Sequence, residues 1–430
     1  MAKDEKNTAV LVIGGGVAGI EASLLLANSG RKVYLVEKTS CIGGNVIKFE
    51  EVFPNMECAT CMIAPKQQEL LQNPNIELLR LSKVTAVTGE AGDFTAKVKR
   101  QASYVDSDNC IGCNACFEPC PVEVANEFEE GLSQRKAIYI PCAGALPNVP
   151  LIDPANCLRF TGQDCQACQD ACLFEAIDYT QQDEDLNIKV GSIIITTGFE
   201  SYDPSDLSQY GYRRFSNVYS AMEVERLLAS NGPTQGEILL KNGNPPKTVA
   251  IIHCVGRDRK GYCSSVCCMA SLKIAHFMKK KLPGIGITQF YTDLCIPGKA
   301  CQKFYEDVRE GGVDFIRAEV TEILEDGKWL TINYTTDHNK QDSLKVDMVV
   351  LNPALEPPQD SAELAAILSL PQGQGGFFSE KTPDLSSINT EREGIFIAGC
   401  AQGPKDITDT VAEAEAAVGQ LLSLTTRESK

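Results

Sequence analysis

Twelve of the nineteen cysteines in this 430-residue chain fall into groups whose spacing suits metal–sulfur chemistry. The first run is Cys110-x-x-Cys113-x-x-Cys116-x-x-x-Cys120-Pro121. The second is stretched: Cys157, seven residues, then Cys165-x-x-Cys168-x-x-x-Cys172, with Leu173 where a proline would complete the pattern. A third group comprises Cys254, Cys263, Cys267 and Cys268. In a reducing compartment, thiolates at this density hold iron and sulfide. In a secreted chain they would read as disulfides instead.

The first run has the ligand spacing of bacterial two-cluster ferredoxins, in which the fourth cysteine of each run serves the other cluster. The expected sets are therefore Cys110, Cys113, Cys116 with Cys172, and Cys157, Cys165, Cys168 with Cys120. Each set would hold one four-iron cluster. Zinc is the alternative, but four ligands per zinc give no reason for interlocked spacing. For the third group, spacing leaves three readings open: a further cluster, buried apolar thiols, or a redox disulfide. Cys58-Ala59-Thr60-Cys61 is a separate pair that could form a redox disulfide, with extra ligation or burial as alternatives. Cys41, Cys142, Cys295 and Cys301 have no place in these sets.

The elements that position the cysteines are those of an α/β protein. Ala9–Ile13 reads as a buried strand, Gly14-x-Gly16-x-x-Gly19 as a tight turn, Ile20–Asn28 as a helix and Lys32–Val36 as the next strand. The glycines let backbone approach a pyrophosphate at the helix N-terminus. Glu37 stands near the distance at which an acid grips a ribose hydroxyl. Two further pieces favour FAD over NAD. Cys41-Ile42-Gly43-Gly44-Asn45 is a glycine pair suited to a flavin's phosphate and ribityl groups. Ile395–Ile397 runs into Gly399, Cys400 and Gly403-Pro404-Lys405-Asp406, then a helix over Thr408–Leu422. Ile193–Ile195 ends in Thr197-Gly198, where the chain leaves the FAD domain. Val84 completes the expected cofactor-binding set.

Residues 246–347 alternate strand and helix again, with strands at Thr248–Ile252, Gly286–Tyr291, Asp314–Ile316, Trp329–Tyr334 and Val346–Leu351 and a helix over Met269–Lys280. A nicotinamide domain would carry a second glycine fingerprint after its first strand. Here His253-Cys254-Val255-Gly256 and Tyr262-Cys263 stand in that place. The expected architecture is a two-domain FAD/NAD(P)-reductase-like fold. Its FAD domain is expected in three parts, 1–102, 181–245 and 348–430. An inserted ferredoxin domain occupies 103–180, and the cysteine-bearing module 246–347.

Composition sets limits. An apolar fraction of 43% supplies ordinary cores. A formal charge of -17 excludes a phosphate-neutralising nucleic-acid binder. The polar start Met1–Lys6 lacks the apolar segment of a signal peptide. Apolar runs such as Val10–Ile13 and Gly191–Ile195 are too short to cross a bilayer, so a cytoplasmic protein is expected. With only three histidines and no nucleophile–base motif, acid–base catalysis is not expected, and His253 reads as a structural neighbour of Cys254.

Several long strings resemble the A subunit of heterodisulfide reductases. They are Cys254-Val255-Gly256, Tyr262-Cys263-Ser264-Ser265-Val266-Cys267-Cys268-Met269, Gly399-Cys400-Ala401-Gln402-Gly403-Pro404-Lys405-Asp406, Arg135–Tyr139, and Asp293-Leu294 with Gly298-Lys299. The resemblance implies an FAD domain with an inserted two-cluster ferredoxin, and a third four-iron cluster on Cys254, Cys263, Cys267 and Cys268. It also implies that Lys273 faces the flavin ring; a solvated helix lysine is the alternative. The chain begins at the FAD strand and stops after the closing helix. In that it is similar to the A subunits of quinone-interacting membrane-bound oxidoreductase complexes. That similarity implies an electron-transfer oxidoreductase subunit, peripheral on the inner face of the membrane through its partners. Those would be a sister flavin/iron–sulfur subunit, a membrane quinone-binding subunit, and a cytoplasmic acceptor or donor such as adenylylsulfate reductase. The competing expectation is an NAD(P)H-dependent flavoprotein with a fused ferredoxin, or a heterodisulfide reductase-type protein that works on a thiol/disulfide.

Overall fold

Val10–Ile13 is fully apolar because both faces of its sheet are covered, as parallel sheets require. The computed structural model describes residues 7–382 and 387–427; the polar start Met1–Lys6 lies outside them. Val10–Ile13 is the centre of a five-stranded parallel sheet in the order Ile395–Ile397, Ser192–Ile195, Val10–Ile13, Val33–Val36, Ile76–Leu79. Helices Val17–Asn28 and Ile407–Arg427 pack together.

A three-stranded antiparallel sheet, Ser82–Glu90, Asp93–Arg100 and Glu184–Val190, shares the core of the parallel sheet. Phe94, Ala96 and Val98 alternate inward and meet Leu11, Ile13, Ile193 and Ile195. The sequence reading omitted this sheet, although the period-two alternation is present. Within it, Val84 is buried at a bulge between Val84 and Ala86.

The cysteine-rich insert is closed where its ends meet. Val105 bridges Ile177, and Asp106 and Asp178 donate backbone hydrogen bonds to Ala176 and Tyr104. Its regular structure is slight: the ladders Val124–Ala125 with Gln134–Arg135 and Ile138–Tyr139 with Leu151–Ile152, and a short helix Ala167–Asp170. Arg135 fastens it. Nε and Nη2 donate to Glu127 at 2.6 Å each, Nη2 reaches Asp153 at 3.0 Å, and the guanidinium lies 3.9 Å from the Tyr139 ring centroid.

The chain divides into two units, residues 1–46, 62–199 and 357–430 in one, and 47–61 and 200–356 in the other. The second holds a seven-stranded sheet ordered Val218–Ser220, Met348–Pro353, Thr248–Val255, Gly286–Tyr291, Val313–Asp326, Trp329–Thr336, Gln341–Val346. The first five strands pair in parallel and the last two antiparallel. This corrects the expected boundaries. Residues 200–245 and 348–356 are expected in the FAD domain, yet Met348–Pro353 pairs with Thr248–Val255, Val218–Ser220 pairs with Met348–Pro353, and helix Ala221–Leu228 packs on helix Cys267–Lys281. Residues 47–61 join the same unit because Arg226 Nη1 donates to the Lys48 carbonyl at 2.6 Å and Lys273 Nζ to that of Glu51 at 3.0 Å.

Candidate functional site

The glycine turn is built for a close backbone approach. Gly14 has φ +111°, and a Cβ there would lie 2.4 Å from the Thr196 carbonyl oxygen. A Cβ on Gly19 would sit 1.8 Å from the Gly14 carbonyl. Gly16 precedes helix Val17–Asn28, and the nearest atom to a Cβ there is the Gly44 Cα, at 3.8 Å. Gly43 donates to the Gly15 carbonyl at 2.7 Å, which fastens the second glycine pair against the turn. Glu37 is buried, and its carboxylate accepts from Gly15 N at 2.7 Å and from Thr39 N and Oγ1 at 2.8 Å each.

The remaining expected cofactor residues sort by placement. Asn45 Nδ2 donates to the Phe199 carbonyl at 3.0 Å. Thr197 Oγ1 is buried without a hydrogen-bond partner among the described residues, and Gly198 has φ +74° with open space around it. A buried, unpartnered hydroxyl beside an open cradle fits a polar cofactor. Gly399 N donates to Glu413 at 2.9 Å, and Lys405 Nζ bonds the same carboxylate at 2.5 Å and Gln402 at 2.8 Å. Cys400 is buried, and burial raises its thiol. Asp406 accepts from Asp409 N at 2.8 Å in the first turn of the closing helix, where Thr408 is exposed.

In the insert, one cavity is lined by Cys120, Cys157, Cys165 and Cys168, with Tyr179 and Ile138. It brings three cysteines of the second run together with the last of the first. The Tyr179 hydroxyl lies 3.1 Å from Cys168 Sγ. Cys116 is buried, with Cys110, Cys168 and Cys172 as its thiol neighbours. Burial pushes its thiol up to about 12, so proton loss there needs a cation to compensate. Ala176 N donates to Cys172 Sγ at 3.4 Å. Leu173, standing where the proline would be, is exposed. The donor set, soft thiolates in a small apolar core, fits iron–sulfur clusters.

The third group gathers at the end of strand Thr248–Val255 and the start of helix Cys267–Lys281. The helix begins two residues earlier than expected, so Cys267 and Cys268 both lie in its first turn. Cys254 has φ +59° and accepts from Thr292 Oγ1 at 3.5 Å. Cys263 is exposed and accepts from Ser265 N at 3.4 Å. The Cys295 amide donates to Cys268 Sγ at 3.4 Å. The hydrogen bond between Cys267 and Cys268, with burial, raises the Cys267 thiol, while that bond, together with His253 and the Cys295 amide, pulls Cys268 down.

A polar layer beneath this group was missed by the sequence reading. Asn352 Nδ2 donates to the Cys267 carbonyl and to Ser271 Oγ, both at 2.7 Å. His253 Nε2 bonds Gln289 Oε1 at 2.7 Å, and Gln289 Nε2 donates to the Ser271 carbonyl. The available signal was a lone amide in each of two apolar strands, at Gln289 and Asn352.

Lys273 is not a solvated helix lysine. It is buried, its Nζ 2.7 Å from Glu225 Oε1 and 4.5 Å from the Phe49 ring centroid. Cys58 and Cys61 are exposed and joined by a disulfide, with Cys61 N donating to Cys58 Sγ at 3.2 Å. Cys41 and Cys142 are buried. Burial, then Cys142, pushes the Cys41 thiol up to about 12, so it is inert at neutral pH. No helix among the described residues is long and apolar enough to cross a membrane.

Residues 9–120 match the FAD dependent oxidoreductase family. The A subunit of the H(2):CoB-CoM heterodisulfide,ferredoxin reductase of Methanothermobacter thermautotrophicus is 40% identical over 419 residues, covering 95% of this chain and 63% of that protein. The iron-sulfur A subunit of the CoB--CoM heterodisulfide reductase of Methanocaldococcus jannaschii is 41% identical over 422 residues, covering 96% and 64%. The chain thus spans slightly under two thirds of the length of these relatives. Two thioredoxin reductases share the fold. That of T. acidophilum has a TM-score of 0.53 at 14% identity, covering 98% of this chain and all of the other. That of Lactococcus lactis has a TM-score of 0.54 at 15% identity, covering 98% and 99%.

Proposed function

Starting from a chain that is similar over nearly its whole length to the A subunit of heterodisulfide reductases, we propose that it is the FAD and iron–sulfur electron-transfer component of a larger oxidoreductase complex. The observation that carries this reading is the cavity in the insert lined by Cys120 together with Cys157, Cys165 and Cys168, as crossed ligand sets would require. A zinc site gives no reason for that exchange.

FAD, when bound, supplies the conversion between paired and single electrons, and clusters carry electrons singly. The residues of the chain supply the rest. Gly14, Gly16 and Gly19 admit the pyrophosphate to the helix N-terminus, where its charge is favoured. Glu37 and Thr39 fix the loop beside it. Cys116 and Cys168 exclude water by burial, and the Tyr179 hydroxyl offers a hydrogen bond to the Cys168 sulfur, a recognised control on cluster potential. In the second unit, Cys254, Cys263, Cys267 and Cys268 would hold a third cluster.

The finer reading places the complex at a membrane. There, beside a sister flavin/iron–sulfur protein, it exchanges electrons between a cytoplasmic enzyme such as adenylylsulfate reductase and a quinone-binding membrane partner. This reading rests on the sequence similarity. The test is anaerobic purification with partners retained, followed by assay of iron, sulfide, flavin and co-purifying quinone. About twelve irons and one FAD per chain are expected. Flavin bleaching on mixing the isolated chain with NADH or NADPH, together with about eight irons, would overturn the reading.

A second activity is favoured by the exposed Cys58–Cys61 pair: exchange with small thiols and disulfides. The Cys61 amide stabilises negative charge on Cys58, which makes Cys58 the attacking sulfur. Cys58→Ser with Cys61→Ser is expected to abolish the two alkylatable thiols that appear after mild reduction while leaving flavin and iron contents unchanged. Loss of iron in that double variant would instead make the pair ligands.

A further inference from the structure

Resting on the proposed third cluster, the second unit offers that centre one thiol more than it needs. We propose that Cys295 is a reserve ligand, able to replace Cys263 on the metal centre held by Cys254, Cys267 and Cys268.

A four-iron cluster presents one open position per iron, so four protein thiolates complete it. Five converge here. Two are fixed by the buried start of helix Cys267–Lys281, where Asn352 holds the Cys267 carbonyl. Cys254 is fixed by its left-handed backbone and the Thr292 hydroxyl. Cys263 is the loosely held member: it is exposed, and it sits in a turn between Gly261 at φ +77° and Ser265 at φ +55°.

Cys295 approaches from a different chain segment. Its amide nitrogen lies 3.4 Å from Cys268 Sγ. Its own thiol therefore lies within a side chain's reach of that sulfur, with Cys263 and Cys268 among its thiol neighbours. The segment is tethered rather than free. Arg257 Nη1 pairs with Asp293 at 2.9 Å, Arg317 Nε donates to the Thr292 carbonyl at 3.1 Å, and Thr292 itself binds Cys254. The tether keeps the fifth thiol beside the group whichever four ligands are engaged. The exchange is balanced: the Cys263 thiolate leaves one iron and takes a proton, and Cys295 releases a proton and binds that iron. No electron moves and the charge of the centre is unchanged.

The test compares iron content and the electron paramagnetic resonance of the reduced centres in anaerobically purified protein. Cys295→Ala should keep about twelve irons per chain with an unaltered spectrum. Cys263→Ala should also keep about twelve, with one cluster signal shifted. Cys263→Ala with Cys295→Ala should fall to about eight, with flavin content and the insert's signals intact as the control for folding. The inference is overturned if Cys263→Ala alone falls to eight, if Cys295→Ala alone does so, or if the double variant keeps twelve. A wild-type chain holding only eight irons would overturn the third cluster itself and this inference with it.

Discussion

Lys273→Met should destabilise the second unit by about 3–5 kcal/mol, the cost of leaving a buried charge without its partner. For a unit of this size that is roughly 6–20 °C in melting temperature. The partner is Glu225. Its carboxylate is buried with the Lys273 ammonium 2.7 Å away, and burial raises its pKa against the opposing pull of Lys273 and Arg226. Lys273 Nζ also donates to the Glu51 carbonyl, so the same change removes one fastening of the segment 47–61, leaving that of Arg226 on Lys48. Lys273→Met with Glu225→Gln removes both charges and should recover most of the loss, because a neutral buried pair costs far less than a lone ion. Thermal melts of the three proteins at equal flavin content decide it. An unchanged melt for Lys273→Met would show that Glu225 is satisfied without this lysine.

The second large effect concerns the crossing of the cysteine runs. If Cys120 belongs with Cys157, Cys165 and Cys168, then Cys120→Ala with Cys165→Ala damages one cluster and should lose about four irons. Cys120→Ala with Cys113→Ala damages both and should lose about eight. Ligand sets that follow sequence order predict the reverse. Iron assay with the spectra of the surviving centre separates the two, since each double variant changes the same number of cysteines. The cavity lined by Cys120 and three cysteines of the second run is the reason for expecting the crossed result. Cys116 has Cys110 and Cys172 as thiol neighbours besides Cys168.

Much of this was legible from local spacing. The glycine turn between Val10–Ile13 and helix Val17–Asn28 announces itself because each glycine answers a contact within a few residues, as Gly19 does against the Gly14 carbonyl. The cysteine runs are legible because ligands on one short loop must recur at fixed intervals to surround one centre. Four strands of the five-stranded sheet followed from apolar runs; the fifth, Ile76–Leu79, did not, because it is short and carries the exposed Glu77. What escaped was the antiparallel sheet around Asp93–Arg100, where mixed charges on the outer face mask the alternation of Phe94, Ala96 and Val98. The boundary at 200–245 also escaped, because Val218–Ser220 is a three-residue strand whose parallel partner lies far along the chain, at Met348–Pro353.

The sequence by itself marked the glycine turn suited to a dinucleotide and the cysteine groups proposed to hold iron, since both readings depend on short-range covalent spacing. Tertiary structure alone decided which charge Lys273 answers, that Gln289 and Asn352 support the third cysteine group, and that Cys295 stands beside it. These contacts join residues from 27 to 85 positions apart. Chain spacing carries no information at that range, so only the packing of strands and helices brings such groups together.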